Sequence, residues 1–283
     1  MKFEKWQALA NDYLIIEQDQ LPFELTAPRI RELCAPHNGV GADGIALLSR
    51  APHPDASAAL RIFNPDGSEA EVSGNGAREA ALYLYRHGWV TRNQFTIQTA
   101  AGPLNVTITS ETSCKIELGR ARLRSDDYPS GAADGRGVLE VAGREWAFQH
   151  IQVGNPQAAI RVEDEHGLDT LDLTAIGPHI EHHELFPNRT NVSWFAPLAP
   201  SKIRVRIFER GVGETAASGT GATGAAVAYV LDGGASPVTV QLDGGELSVE
   251  VSETLEISLA GPATPVFAGE LAADFVKRLH GLA

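Results

Sequence analysis

A chain of 283 residues with 43% hydrophobic and 21% charged residues is long enough for one large or two mid-sized domains that bury their own cores without covalent staples. Its two cysteines, Cys34 and Cys114, allow at most one bridge and form no CxxC pair, which excludes a disulfide scaffold and a thiol-rich zinc site and fits a reducing cytoplasm. A net charge of -13, with no local cluster of Lys or Arg to offset it, repels phosphate backbones and argues against nucleic-acid binding.

The first residues, Met1-Lys2-Phe3-Glu4-Lys5-Trp6, carry charge where a signal peptide needs an apolar region. No apolar run approaches the ~20 residues of a membrane span, so a protein without membrane attachment is expected. Gly39-Val40-Gly41-Ala42-Asp43-Gly44 reads as a tight loop and lacks the ending of a P-loop. Leu60 to Phe63 is strand-like, Asn64-Pro65-Asp66-Gly67 is turn chemistry, and Gly76 to His87 has helical composition stopped by Gly88. Strands are predicted from Gln94 to Thr99, Leu104 to Thr109 and Lys115 to Leu118. The polar stretch from Ser125 to Gly131 reads as a linker between halves. His179 and His183 have an i, i+4 spacing that can bind metal. With His182, Glu181 and Glu184 beside them they equally make a solvated face, and no third ligand is suggested, so no metal is assigned. A strand from Ile203 to Phe208, a turn region from Glu209 to Ala217 and a helix through Leu231 follow, the last stopped by Asp232-Gly233-Gly234. Further strands run from Val238 to Leu242, Leu247 to Val251 and Leu255 to Leu259, and Leu271 to Leu282 reads as a closing helix.

An internal repeat organises these elements. Arg61-Ile62-Phe63 recurs as Arg206-Ile207-Phe208, and Ser73-Gly74-Asn75-Gly76-Ala77 as Ser218-Gly219-Thr220-Gly221-Ala222, at one offset: 206 − 61 = 145 and 218 − 73 = 145. Glu69 aligns with Glu214, and Ala80-Ala81 with Ala225-Ala226, at the same spacing. The fold class is therefore α+β in two pseudo-symmetric halves. Their bounds are set at 1–122 with a C-terminal helix in 268–283, and at 123–267.

Gly219-Thr220-Gly221-Ala222-Thr223-Gly224 matches a dinucleotide fingerprint, with Asp243 about 20 residues on. A true fingerprint follows its strand directly, whereas ten residues separate Phe208 from Gly219, and the first-half turn has Glu79 in place of the third glycine. No nicotinamide or flavin cofactor is assigned. Ser73 and Ser218 each sit where an N-cap belongs, so the turns direct backbone N–H groups out of two helix starts, a ready site for anions. A pseudo-symmetric pair of acid/base groups acting on opposite faces of one carbon is what inversion of a stereocentre requires.

The runs Phe63-Asn64-Pro65-Asp66-Gly67-Ser68-Glu69-Ala70-Glu71, Gly74-Asn75-Gly76-Ala77-Arg78 and Glu209-Arg210-Gly211-Val212-Gly213-Glu214-Thr215, with Gly219-Thr220-Gly221, resemble the diaminopimelate epimerase family. Supporting pieces are Ala8-Leu9-Ala10-Asn11-Asp12-Tyr13, Gly39-Val40-Gly41-Ala42-Asp43, Val153-Gly154-Asn155-Pro156 and Arg189-Thr190-Asn191-Val192. They span the chain in family order. The fold is shared with proline racemase-like and phenazine-biosynthesis isomerases. The resemblance implies a β-rich sheet wrapped around a central helix in each half, with an active-site cleft between the halves. It further implies an isomerase of lysine biosynthesis that acts at Cα of an amino acid without pyridoxal phosphate or any other cofactor, in a cytoplasmic homodimer. By resemblance Asn11, Asn64, Asn155, Asn191, Glu209 and Arg210 hold the distal end of diaminopimelate, while Gly74-Asn75 and Gly219-Thr220 offer N–H groups to the proximal carboxylate.

Three departures from the family pattern stand out. Its two proton-transferring cysteines are Ser73 and Ser218 here, and the histidine that usually follows Gly-Asn-Pro is Gln157. A thiol with a pKa near ~8.5 becomes a thiolate at a helix start, whereas an alkyl hydroxyl is a far weaker acid. Three readings stay open: an epimerase with serine in place of cysteine and impaired two-base transfer, an isomerase or lyase that uses the Glu209 carboxylate as its base, and a non-catalytic binder of a diaminopimelate-like ligand.

Overall fold

Alternation of apolar and polar side chains writes most of this chain as strand. In Gln94–Thr99 the buried positions are Phe95, Ile97 and Thr99, the two-residue period of a sheet with one face on a core. Gly245–Val251 does the same with Leu247, Val249 and Val251. Two helices break the pattern: Gly74–Arg86 and Gly219–Leu231 are buried along nearly their whole length, as a helix surrounded by sheet must be. Alanines at 77, 80 and 81 in one and at 222, 225 and 226 in the other are fully buried and let the strands approach closely.

The computed structural model describes residues 1–70 and 73–282; Glu71 of the family motif lies outside them. The chain divides into two units, the first made of residues 1–116 with the C-terminal segment from Gly261, the second of 117–260. In the first unit Lys2–Ala8, Asn11–Glu17, Gly44–Ser49 and Ala58–Phe63 are successive neighbours, paired antiparallel, parallel and antiparallel. Thr264–Glu270 adds outside Lys2–Ala8, and Gln94–Thr99 and Gly102–Ser110 extend the other side, parallel then antiparallel. The second unit uses the same scheme with Arg144–Val153, Asn155–Arg161, Asn191–Ala199 and Lys202–Glu209. Arg136–Val141 lies outside it on one side and Val238–Leu242 and Gly245–Val251 on the other.

The repeat holds to the level of single pairs. The central helices start and stop at the offset read from sequence, 74 + 145 = 219 and 86 + 145 = 231. Ile62↔Ala70 and Phe63↔Glu69 in one hairpin match Ile207↔Thr215 and Phe208↔Glu214 in the other. Arg61 bonds Glu69 at 2.7 Å across the first hairpin, and Arg206 bonds Glu214 at 2.6 Å across the second.

Each unit keeps its own core. Leu14, Ile16, Ile30, Leu33, Ile45 and Phe63 anchor one, and Trp146, Phe148, Ile160, Phe186, Trp194 and Phe208 the other. The first helix begins at Gly74 rather than Gly76, because Ser73 is the cap and the Gly76 N–H donates the capping bond. The closing helix spans Ala273–His280. The Ser125 to Gly131 stretch is a series of turns inside the second unit, and the chain passes from the first unit to the second within the strand Ser113–Arg120. Turn residues mark a β-rich unit's own corners as readily as its boundaries. Among the described residues no helix is long and apolar enough to cross a membrane.

Candidate active site

In the first unit Ser73 is extended, with φ -126° and ψ 124°, and its Oγ accepts the Gly76 N–H at 3.2 Å, so it caps the central helix. The Tyr13 phenol donates to the same oxygen at 3.1 Å. Asn75 follows the cap and is buried. Its amide donates to Asn11 Oδ1 at 3.0 Å, and its Oδ1 accepts from Arg78 at 2.9 Å, while Arg78 also bonds the Gly74 carbonyl at 2.9 Å. Asn11 in turn donates to Asp43 at 2.9 Å. A fully buried guanidinium thus fixes the helix start from beneath, and Asn75 and Asn11 extend that hold to the loop carrying Asp43. Glu79, one turn along, is buried, and burial pushes its carboxyl well above the usual range, with Arg78 pulling the other way. Asn64 belongs to a separate turn, where its amide donates to Ser68 Oγ at 2.9 Å. Gly67 there has φ +91°, and a Cβ would run into Ala27, so glycine is required twice over.

The second unit builds the matching helix start differently. Ser218 caps it with φ -140° and ψ 125°, accepting from Gly221 N at 3.3 Å, and its hydroxyl donates to Glu209 Oε2 at 2.9 Å. Thr215 Oγ1 donates to Glu209 Oε1 at 2.9 Å, so a hydroxyl holds each carboxylate oxygen. The hairpin makes this possible: Glu209 ends the strand Lys202–Glu209, pairs with Gly213, and lies beside Thr215 of Gly213–Thr215. Thr220 Oγ1 is 3.5 Å from Ser218 Oγ.

Asn191 is buried and committed to the backbone, accepting from Arg210 N at 2.8 Å and donating to the Pro156 carbonyl at 2.9 Å. It ties the start of the strand that carries Asn155 to the turn that carries Arg210. The Arg210 guanidinium bonds the Asn188 carbonyl at 2.9 Å. Buried Glu181 braces the same loop, accepting from Gly211 N at 2.9 Å and from Arg189 at 3.1 Å.

Gln157 is fully buried and donates to Asn155 Oδ1 at 2.6 Å, while its Oε1 has no hydrogen-bond partner among the described residues. It packs on the central helix at Gly224, where an added Cβ would sit 2.9 Å from the Gln157 Cβ. The third glycine of the Gly219-Thr220-Gly221-Ala222-Thr223-Gly224 run is therefore a packing glycine. Its first-unit counterpart is Glu79, since 79 + 145 = 224.

The structure thus joins Asn11 to Asn75 in one unit, and Glu209 to Ser218 and Asn191 to the Arg210 backbone in the other. Asn64 stays in its own turn. No role is assigned from sequence to Tyr13, Asp43, Arg78 or Thr215, and Glu181, read there as part of a solvated face, is instead buried under Arg189 and the Gly211 N–H. Tyr13 and Thr215 lay inside quoted motifs, but nothing local says that a phenol reaches a serine sixty positions away. The histidine motif dissolves, because the helix Leu173–Glu181 ends before His182 and His183. These two rings meet backbone groups, Pro178 O at 3.0 Å and Leu185 N at 3.3 Å. Cys34 and Cys114 are both buried, and burial pushes each thiol up to about 12.

Chemically, each unit presents a helix start with a hydroxyl at its mouth, the setting for a carboxylate. Neither hydroxyl is ionised near neutrality. The group bonded to one of them that can take a proton is the Glu209 carboxylate.

The family described as diaminopimelate epimerase matches residues 3–124 and 150–266. The diaminopimelate epimerase of Pelotomaculum thermopropionicum is 39% identical over 280 residues, covering 95% of this chain and 98% of its own. That of Desulfitobacterium hafniense is 39% identical over 285 residues, covering 97% and 99%. Among solved structures, a Bacillus anthracis phenazine biosynthesis protein of the PhzF family superposes with a TM-score of 0.69 at 17% identity, over 96% of this chain and 99% of the other. A hydroxyproline epimerase from Agrobacterium vitis gives 0.68 at 14%, over 97% and 93%. These last two share the fold.

Proposed function

Since the chain belongs to the diaminopimelate epimerase family, we propose that it is a cofactor-independent isomerase of diaminopimelate or a similar amino acid, slowed in proton transfer because serine occupies both helix starts. One observation carries this: the Ser218 hydroxyl donates to a carboxylate that Thr215 holds in place. In the step we assign to this group, the α-proton moves to Ser218 Oγ as the serine proton moves to Glu209. The electron pair of the broken C–H bond flows into the α-carboxylate. Helix-start N–H groups stabilise that developing charge without reorganising. On the opposite face Ser73 gives its hydroxyl proton to Cα, the electron pair returning from the carboxylate to form the new C–H bond and the O–H pair staying on Ser73 Oγ. The substrate-holding roles of Asn11 and Asn64 in the first unit, and of Asn155, Asn191, Glu209 and Arg210 in the second, belong to the proposal too, as do the N–H groups of Gly74, Asn75, Gly219 and Thr220.

A second reading, a non-catalytic binder, is favoured by buried Gln157, which offers no group that ionises near neutrality. Incubation with LL-diaminopimelate in deuterium oxide separates the two. Slow loss of the α-proton signal that Glu209→Gln abolishes, and that combined Ser73→Cys and Ser218→Cys accelerates, supports the isomerase. Ligand-induced thermal stabilisation with no exchange in any of these chains supports the binder. Rapid exchange indifferent to Glu209→Gln refutes the serine–carboxylate step.

A further inference from the structure

The two serines have opposite hydrogen-bonding senses. Ser218 gives its proton away, to Glu209 Oε2 at 2.9 Å. Ser73 receives one, from the Tyr13 phenol at 3.1 Å, besides the Gly76 N–H at 3.2 Å. A hydroxyl that donates to a carboxylate has an electron-rich oxygen and is readied to accept a proton. A hydroxyl whose oxygen accepts two donors is readied to release its own.

Tyr13 is in place for structural reasons. Its strand Asn11–Glu17 pairs in parallel with Gly44–Ser49, and its ring lies along the central helix, 3.5 Å from where a Cβ at Gly76 would be. The matching position of the second unit can be read from the ladders. Phe63 and Phe208 are equivalent by the repeat; they pair with Ile45 and Val192, which pair with Leu14 and Ala158. One residue earlier stand Tyr13 and Gln157. A phenol therefore fills in the first unit the sheet position that holds Gln157 in the second, and Asn64 fills the position of Glu209. The turns share a backbone and differ in these two partners.

We infer that Tyr13 is a positioning residue that polarises Ser73 as the proton-donating side of the pair, while Glu209 polarises Ser218 as the accepting side. When Ser73 O–H breaks and the proton forms the new C–H bond, the negative charge left on Ser73 Oγ is held by the Tyr13 O–H and the Gly76 N–H. This rests on the reading above, that both serine oxygens act on the reacting carbon.

A thiol placed at each serine reports the polarisation without substrate. Ser73→Cys and Ser218→Cys are made singly, and the pH dependence of alkylation by iodoacetamide is followed residue by residue by mass spectrometry. Buried Cys34 and Cys114 stay unlabelled while the chain is folded, so they report integrity in the same experiment. The thiol of Ser73→Cys titrates at lower pH than that of Ser218→Cys. Tyr13→Phe raises the first midpoint by about one unit, about a tenfold loss of reactivity below it, the scale of one hydrogen bond to a charged atom. Glu209→Gln lowers the second. Equal or reversed midpoints, or a first midpoint unmoved in a folded Tyr13→Phe chain, overturn the inference. Should Tyr13→Phe label Cys34 or Cys114, the order of midpoints in the chains that retain Tyr13 decides it. Because no turnover is measured, the polarisation can fail while deuterium exchange stands, and the reverse.

Discussion

His150 gives the second unit a calculable weakness to acid. Its imidazole is buried beside the Tyr128 ring, with Nε2 2.9 Å from Ser125 Oγ and Nδ1 without a partner among the described residues. Burial lowers its pKa from 6.5 to about 4, against a small opposing pull from Asp127. Between those values the unfolded chain binds a proton that the folded chain refuses. Stability is therefore complete above pH 6.5, falls as pH drops towards 4, and levels off below. At 1.36 kcal/mol per unit, the two pKa values imply a loss of about 2.5 kcal/mol between pH 7.5 and pH 4.5. His150→Gln keeps a polar atom for Ser125 but cannot titrate. Urea unfolding followed by tryptophan fluorescence at both pH values should show the wild type losing about 2.5 kcal/mol more than the variant. Losses equal within about 0.5 kcal/mol would mean that His150 is protonated in the fold or reached by water, and would refute the reasoning.

Other substitutions probe the helix starts. Ser73→Ala and Ser218→Ala each remove one capping bond of nearly equal length, and each should cost about 1 kcal/mol in urea unfolding. Arg78→Met leaves Asn75 Oδ1 buried without its donor and should destabilise by about 3 kcal/mol, with loss of ligand-induced thermal stabilisation. Gly224→Ala forces a methyl against Gln157 and should cost about 1–3 kcal/mol in the same assay, with no such penalty when Gln157→Ala is added.

What was legible in the sequence was whatever repeated or acted locally. Ser73 and Ser218 cap as their spacing to Gly76 and Gly221 requires, because a cap bond spans three residues. The helix stops at Gly88 and at Asp232-Gly233 are equally local. The partners that set the chemistry were not local. Tyr13 meets Ser73 because parallel pairing of Asn11–Glu17 with Gly44–Ser49 brings the phenol to the helix, and no periodicity encodes which strand neighbours which. Asn191 is a substrate ligand by resemblance, and its polar atoms also tie Pro156 to Arg210, a role visible only once two strand starts and a turn are placed. Composition misplaced the linker for a related reason: Ser125 to Gly131 has the residues of a turn, and the second unit turns there.

Both thiols of this chain are sealed in its cores, and at about 12 only some one in 10⁵ of them is thiolate at pH 7. Peroxide attacks the thiolate, and it attacks where it has access. An enzyme that moves protons with exposed cysteines is open to that oxidation at its own active centre. With hydroxyls at both helix starts and thiols only in the interior, the site proposed above gives up the stronger acid and offers peroxide no thiolate.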